Sequence, residues 1–158
     1  MLKTALLAAA AGSSLLVAAP AAAGPAEDAA AALAATMDKF NAGDAAAFIA
    51  AHQDGAIIVD EFAPYVWGGP GSAQRWVADY VTYTQGMGDS GGRVDYGKPL
   101  QAASDGNSAY VVLPTTYRFT RKGVKMAGPG SMTFVMRRSG SDWKIGSWTY
   151  SGATPAPE

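Results

Sequence analysis

The sequence predicts an α+β domain in which helices come first and a mainly antiparallel sheet follows. Apolar residues near the N-terminal end recur at helical spacing, with Ala30, Leu33, Met37 and Phe40 on one stripe. From Arg93 onward, segments rich in β-branched and aromatic residues alternate with short glycine-containing turns. Helices followed by a run of hairpin strands are typical of the α+β class, and the chain shows no internal repeat.

Three helices are predicted in the first part of the chain. The first covers residues 26–41 and stops before Gly43, and Asp44 is placed to cap the second helix, which covers residues 45 to about 53. The third starts near residue 72 and fades by residue 86, with its apolar side chains on one face. Each helix therefore has an apolar side to bury.

The strands are predicted from short runs of β-branched and aromatic residues between turn signals. They cover residues 56–62, 93–103, 110–120, 124–138 and 143–150, and the fourth is expected to bend at its Gly-Pro-Gly. Two glycine-rich segments, residues 68–71 and 88–92, lack the lysine of a phosphate-binding loop and are interpreted as connecting loops. Residues 151–158 are rich in proline and alanine and are predicted to form a flexible tail.

The first 23 residues have the three-part pattern of a secretory signal peptide. Lys3 supplies the positive charge, an alanine- and leucine-rich apolar run follows, and cleavage is predicted after Ala23 at a run of small residues. We therefore expect an exported protein, periplasmic or secreted, whose folded domain covers residues 24–150. The chain has no cysteine, so this domain must be held together by its packed core without disulfides.

Charge and composition argue against several classes of function. Removal of Lys3 with the signal peptide leaves 11 basic and 13 acidic residues, which is not the basic surface that nucleic-acid binding requires. We expect no membrane contact after cleavage and no cofactor. A metal site needs at least three converging ligands, and Asp60 and Glu61 are expected to point to opposite faces of one strand. We therefore predict no metal.

Three short motifs resemble the nuclear transport factor 2-like superfamily, which includes the ketosteroid isomerase-like and polyketide cyclase-like, or SnoaL-like, domains. They are the helix junction at residues 40–44, the strand start at residues 54–59 and the hairpin at residues 141–145. The resemblance implies a cone-shaped roll, with three N-terminal helices packed in a curved, mostly antiparallel sheet around a cavity. It also implies a homodimer through the open sheet face, where residues such as Val135 and Trp148 or their opposite-face neighbours would be exposed.

The resemblance to bacterial ketosteroid isomerases assigns a role to Asp60. Counted from the helix junction at residues 40–44, the general-base aspartate of that family falls on Asp60 without a gap. Its apolar neighbours Ile58 and Phe62 are expected to share one face with it, and the resulting desolvation raises the pKa of a carboxyl group. The family's two oxyanion donors fall on Thr36 and on residues 131–133, where neither a tyrosine nor an acid stands.

Large aromatic side chains are the best candidates for the wall of the cavity. The predicted ligand-binding residues are Trp67, Trp76, Tyr80, Tyr110 and Trp148, together with His52 on the second helix; Tyr117 and Tyr150 are further aromatics that can line or fill it. For any single one of them, an ordinary core position is the preferred interpretation. For His52 the apolar spacing after Phe48 and Ile49 favours a packed side chain.

Three hypotheses for function follow from these features. In the first, the protein is an exported domain that binds an apolar small molecule in its cavity. In the second, it is an isomerase, cyclase or lyase that uses Asp60 as a general base on a hydrophobic carbonyl substrate. In the third, it is a non-catalytic dimeric interaction module. An open cavity with Asp60 and a hydroxyl donor in its wall would favour the second hypothesis, and a filled cavity would leave only the third.

Overall fold

The computed structural model describes residues 24–158, and the predicted signal peptide lies outside these residues. Three helices come first: α1 (Pro25–Asn41), α2 (Ala45–Ala50) and, after two strands, α3 (Ser72–Met87). As predicted, the Asp44 side chain caps α2, because it accepts a hydrogen bond of 3.0 Å from the backbone N–H of Ala47. All three helices supply side chains to a single buried core.

The strands of the described region form one curved sheet against which the helices pack. They are β1 (His52–Val59), β2 (Val66–Gly69), β3 (Asp89–Tyr96), β4 (Gln101–Ser104), β5 (Ser108–Arg121), β6 (Val124–Ser139), β7 (Asp142–Gly152) and β8 (Ala156–Pro157). The order across the sheet is β2-β1-β7-β6-β5-β3, with β4 paired to β5 and β8 paired to β6. The pairing of β1 with β7 is parallel and the others are antiparallel. The predicted α+β roll is confirmed.

The core lies between the helices and the inner face of the sheet. Leu33 of α1, Phe48 of α2 and Trp76 of α3 are almost completely buried against Phe134 and Trp148 of the sheet. Along β5 and β6 buried and more exposed residues alternate, as expected for strands with one face packed and one turned outward. The inner face is therefore available to carry a site.

Helix α2 is shorter than predicted, and this changes the position of His52. The helix ends at Ala50, and His52 is the first residue of β1, where it pairs with Ile145 of β7. Strand β1 correspondingly starts earlier than predicted and ends at Val59, so that Asp60 follows the strand instead of lying within it. Pairing with β7 is a tertiary interaction, and it overrides the helical spacing of the local sequence.

The segment predicted as one strand over residues 93–103 consists of two strands. The break falls at residues 97–100, which include Pro99, and both β3 and β4 pair with different parts of the long β5. The glycine-rich segment 88–92 is not a loop, because β3 begins at Asp89, which pairs with Arg121. Strand β6 is also continuous through its Gly-Pro-Gly.

Residues 151–158 do not form a flexible tail. Strand β7 continues to Gly152, β8 pairs with Met126 and Ala127 of β6, and the backbone N–H of Glu158 donates to the carbonyl of Lys125 at 3.1 Å. Gly128 makes room for this segment, since an added Cβ there would lie 2.9 Å from the nearest backbone oxygen of the segment. The local composition of residues 151–158 does not reveal this pairing, because the partner strand β6 lies elsewhere in the chain. None of the helices in residues 24–158 has the length and apolar character needed to span a bilayer.

Candidate active site

A cavity of about 250 Å³ lies between the helices and the inner face of the sheet and is partly open to solvent. Its wall is largely aromatic and includes Trp76 and Tyr80 of α3, Tyr117 of β5 and Trp148 of β7. Polar groups make up the smaller part of the wall surface, and the carboxylate of Asp60 is one of them. An apolar cavity with a small number of placed polar groups is the usual form of a small-molecule site.

Asp60 lies where β1 has ended and the chain turns across the end of the cavity. Its Oδ2 accepts a hydrogen bond of 3.0 Å from the indole N–H of Trp76, and its Oδ1 accepts one of 2.7 Å from the backbone N–H of Glu61. Burial raises the pKa of Asp60 from an ordinary 3.8 to about 6, although both hydrogen bonds work in the opposite direction. The group is therefore a stronger base than an exposed aspartate.

A pair of tyrosine hydroxyls lies along the same wall. The hydroxyl oxygens of Tyr80 and Tyr117 are 2.8 Å apart, and the ring of Tyr80 stacks on Trp76 with centroids 5.2 Å apart. Burial raises the pKa of both tyrosines, so both hydroxyls keep their protons at neutral pH. One proton is used in the bond between them, and the other hydroxyl can donate to a ligand.

Neither Thr36 nor the stretch 131–133, where the resemblance puts the oxyanion donors of the ketosteroid isomerases, offers a hydrogen-bond donor to the cavity. The hydroxyl of Thr36 donates to the carbonyl of Ala32 within α1 at 3.0 Å. In the stretch 131–133 the side chain that reaches the cavity is the apolar Met132. Tyrosines supply hydroxyl donors in this wall instead, and the Tyr80–Tyr117 pair forms only because the fold brings β5 and α3 together.

His52, which was predicted to bind ligand, does not line the cavity but is buried in the protein interior. Its Nδ1 lies 2.9 Å from the carbonyl of Phe48, and its Nε2 lies 3.0 Å from the indole Nε1 of Trp148. Because a carbonyl only accepts and an indole N–H only donates, the imidazole carries its proton on Nδ1. Burial lowers the pKa of His52 to about 4 and keeps it neutral. His52 is thus a packed side chain that orients Trp148.

Two of the five predicted aromatic wall residues lie elsewhere. Trp67 is buried in the core, where its indole N–H donates to Asp79 Oδ2 at 2.8 Å and its ring packs on Phe62. Tyr110 is 41% exposed, because even-numbered positions of β5 in this stretch point outward while Ala109 is buried. Trp76, Tyr80 and Trp148 do line the cavity, and their role in ligand binding stays a prediction.

An ion pair in the cavity wall was not anticipated from the sequence. Arg121 donates from Nε to Asp89 Oδ1 at 2.7 Å and from Nη2 to Asp89 Oδ2 at 2.8 Å, and both residues line the cavity. The hydrogen bond to Asp89 is the main reason that the pKa of Arg121 is raised. The two residues face each other across β3 and β5, and finding them requires the strand register, which the sequence does not show.

The C-terminal segment completes one edge of the cavity. The backbone N–H of Gly152 donates to Glu61 Oε1 at 2.7 Å, and Thr154 and Pro155 beyond it contribute to the wall. Tyr150, at the end of β7, also lines the cavity, and burial is the main cause that raises its pKa to about 12. Within residues 24–158 no three histidine, aspartate or glutamate side chains come together in a way that would hold a metal ion.

Comparison with protein-family models places most of the chain in one family. The model described as a SnoaL-like domain matches residues 29–156, which includes the segment beyond residue 150. No curated protein sequence matches the chain significantly.

Solved structures with the same fold share little sequence with this chain. A ketosteroid isomerase-like protein from Erwinia carotovora atroseptica is 19% identical, with a TM-score of 0.63 over 82% of this chain and 97% of the other. A hexachlorocyclohexane dehydrochlorinase, LinA, is 10% identical, with a TM-score of 0.66 over 84% and 85%. The CaMKII hub of S. rosetta is 16% identical, with a TM-score of 0.65 over 83% and 98%. These similarities establish the cone-shaped fold.

Proposed function

The chain belongs to the SnoaL-like domain family, and we propose that its cavity binds an apolar carbonyl compound on which Asp60 acts as a general base. The observation that carries this proposal is a carboxylate with a pKa of about 6 in the wall of an open aromatic cavity. A base whose pKa lies close to the working pH combines a large ionised fraction with a high proton affinity. The reaction class is isomerase, cyclase or lyase.

The arrangement supports a balanced proton transfer. The Asp60 carboxylate takes a proton from a carbon next to the carbonyl. The electron pair of the broken C–H bond forms a C=C bond, and the π electron pair of the carbonyl moves to its oxygen, which gives an enolate. The free hydroxyl proton of the Tyr80–Tyr117 pair donates to that oxygen as its negative charge develops. Return of the proton from Asp60 to a different carbon completes an isomerisation, while loss of a leaving group completes a lyase reaction.

A matched pair of aspartate variants tests the role of Asp60. The probe is beta-tetralone, an apolar bicyclic ketone, whose exchange of α-hydrogens in deuterium oxide is followed by nuclear magnetic resonance. We expect Asp60→Asn to reduce protein-catalysed exchange by about 10²–10⁴. Asp79→Asn is the control, because Asp79 also accepts an indole N–H, at 2.8 Å from Trp67, but does not line the cavity. Equal exchange by the native protein and Asp60→Asn contradicts the proposal.

Binding without chemistry is the second candidate, and the apolar character of the wall favours it. Burial of an apolar ligand against the cavity wall is favourable whether or not a reaction follows. The apolar side chains of this wall include Phe40, Phe48, Phe62 and Trp148. For a protein that only binds, beta-tetralone is retained without any exchange above the rate in buffer. Asp60→Asn then changes affinity modestly and nothing else.

The N-terminal segment of the chain carries a further proposal, which concerns export. We propose that the protein is exported, periplasmic or secreted, with cleavage after Ala23; N-terminal sequencing of the exported protein tests this.

The strand register puts Ile57, Ser147, Val135 and Tyr110 in one row on the outer sheet face, with Ile57 53% exposed. We propose a homodimer through this face, although Trp148 is buried and not part of it. Sedimentation showing only monomer at high concentration contradicts the dimer.

A further inference from the structure

We propose that the Arg121–Asp89 pair is a second polar subsite of the cavity, which binds a neutral carbonyl or hydroxyl oxygen of the ligand away from Asp60. This inference rests on the proposed function, because it concerns the same cavity. It names the substrate class more closely: an apolar, ring-containing compound with oxygen functions at two ends. Asp60 lies beside Trp76 near the start of α3, whereas Asp89 follows the end of α3 at Met87.

The strand geometry directs Arg121 into the cavity. Alternate residues of β5 share a face, and Tyr117, Phe119 and Arg121 all line the cavity wall. The guanidinium lies over the Phe119 ring, with its central carbon 5.0 Å from the ring centroid. Two hydrogen bonds to Asp89 and this ring contact hold the guanidinium in one orientation, so a ligand meets donors that are already positioned.

A position inside the cavity is not needed for this pair to join the two strands. The carboxylate side chain of Asp89 is 3% exposed, while the side chain of Arg121 is 31% exposed. Taking an ion pair out of water costs free energy that its own attraction often fails to return. A cross-strand pair that served only to join β3 and β5 would do so equally well on the outer face, as Arg118 and Asp95 do at 2.7 Å.

The hydrogen bonds of Arg121 define what it can still bind. A guanidinium has five N–H groups, and Asp89 occupies those of Nε and one of Nη2. Among the described residues, Nη1 has no hydrogen-bond acceptor. The charge of Arg121 is already compensated by Asp89, and a ligand carboxylate would be repelled by that second carboxylate at close range. The free donors therefore suit a neutral oxygen.

Binding of three sets of phenols, measured by isothermal titration calorimetry, tests the subsite. Each set compares a monohydroxy ring system with its counterpart hydroxylated at both ends, built on naphthalene, biphenyl or stilbene so that the span between oxygens varies. One hydroxyl can donate to Asp60 and the other can accept from Arg121. We expect at least one dihydroxy compound to bind about tenfold more tightly than its monohydroxy parent, as for a hydrogen bond to a charged group. The matching hydroxy-carboxylate should show no such gain.

Two variants and one control test whether the tenfold gain in affinity depends on the Arg121–Asp89 pair. In Asp89→Leu/Arg121→Met both charges are removed together, so that no unpaired buried charge remains, and the tenfold gain should disappear. Arg121→Lys keeps the positive charge but loses the planar guanidinium with its several fixed N–H donors. This variant should keep only part of the gain in affinity. Arg93→Gln removes an arginine of the neighbouring strand β3 that pairs with Asp95 outside the cavity, and it should leave the gain unchanged. Thermal unfolding followed by circular dichroism checks that each variant is folded.

The outcomes separate the subsite from the proposed function. If no dihydroxy compound gains affinity, or if the double variant keeps the gain, the subsite is refuted while Asp60-dependent exchange of beta-tetralone is unaffected. If the hydroxy-carboxylate binds more tightly than the dihydroxy compound, the assignment to a neutral oxygen is wrong. If the gain is present but Asp60→Asn exchanges as fast as the native protein, the subsite stands and the catalytic proposal fails.

Discussion

Replacing Asp60 by asparagine is expected to change how the stability of the fold depends on pH. In the folded protein burial raises the pKa of Asp60 from 3.8 to about 6, so the folded state holds this proton more tightly than the unfolded state. Stability therefore falls as the pH rises from about 4 to about 6, where the folded state must give up the proton. Asparagine has the shape of the carboxyl group but no such proton to lose.

The size of the effect follows from the shift in pKa. A shift of one unit corresponds to about 1.4 kcal/mol, so a shift of roughly two units sets an upper bound of about 3 kcal/mol. Asp60 is not fully buried, and solvent screening lowers the expected gain of Asp60→Asn at pH 7 to about 1–2 kcal/mol. At pH 4, where Asp60 is protonated in the folded protein, the two proteins should differ by less than about 1 kcal/mol.

His52 titrates over nearly the same pH range with the opposite sign. Burial lowers the pKa of His52 from 6.5 to about 4, so the unfolded state binds this proton more readily. The associated stability is complete above about pH 6.5 and is lost as the pH falls through about 4. In the native protein the slopes from His52 and Asp60 oppose each other between pH 4 and 6. In Asp60→Asn the His52 slope is left alone, and stability should rise clearly with pH.

Urea unfolding of both proteins at half-unit steps from pH 4 to pH 7.5 measures these slopes directly. The quantity to compare is the difference in the free energy of unfolding at each pH, with the value at pH 4 as the internal reference. A difference that does not change between pH 4 and 7 would show that Asp60 titrates as an exposed aspartate. It would also remove the main support for Asp60 as a base.

Two other changes test the surroundings of the site. An added Cβ at Gly92 would lie 2.4 Å and 2.8 Å from the two hydroxyls of the tyrosine pair, so Gly92→Ala should lower beta-tetralone exchange about tenfold and cost about 1–3 kcal/mol in urea unfolding. Gly86→Ala, in α3 with open space around it, should be neutral or slightly stabilising, and equal effects of the two changes would exclude this reasoning. A chain ending at Gly152 lacks Thr154 and Pro155 from the cavity wall and should bind beta-tetralone more weakly while it remains folded. Unchanged affinity would mean that the segment does not close the cavity.

The class of fold and the order of its helices and strands can be predicted from local sequence patterns. Helical and strand periodicity require only neighbouring residues, and the capping carboxylate of Asp44 sits in the position that the spacing predicts. The local motifs also single out Asp60, which the structure places in the cavity wall. The boundaries that were wrong, at the end of α2 and in residues 151–158, are those at which pairing with a distant strand outweighs local preference.

The contents of the site depend on contacts that the sequence does not reveal. Size and apolar character identify Trp67, Tyr110 and Trp148 as equivalent candidates, but only the strand register turns Trp148 toward the cavity and Tyr110 away from it. The partners of Asp60, of Tyr80 and of Arg121 lie 16, 37 and 32 residues away in the chain. The sequence by itself determined the α+β class and singled out one carboxylate; the tertiary structure decided which groups surround it, because the pKa of a carboxyl group depends on what is packed against it.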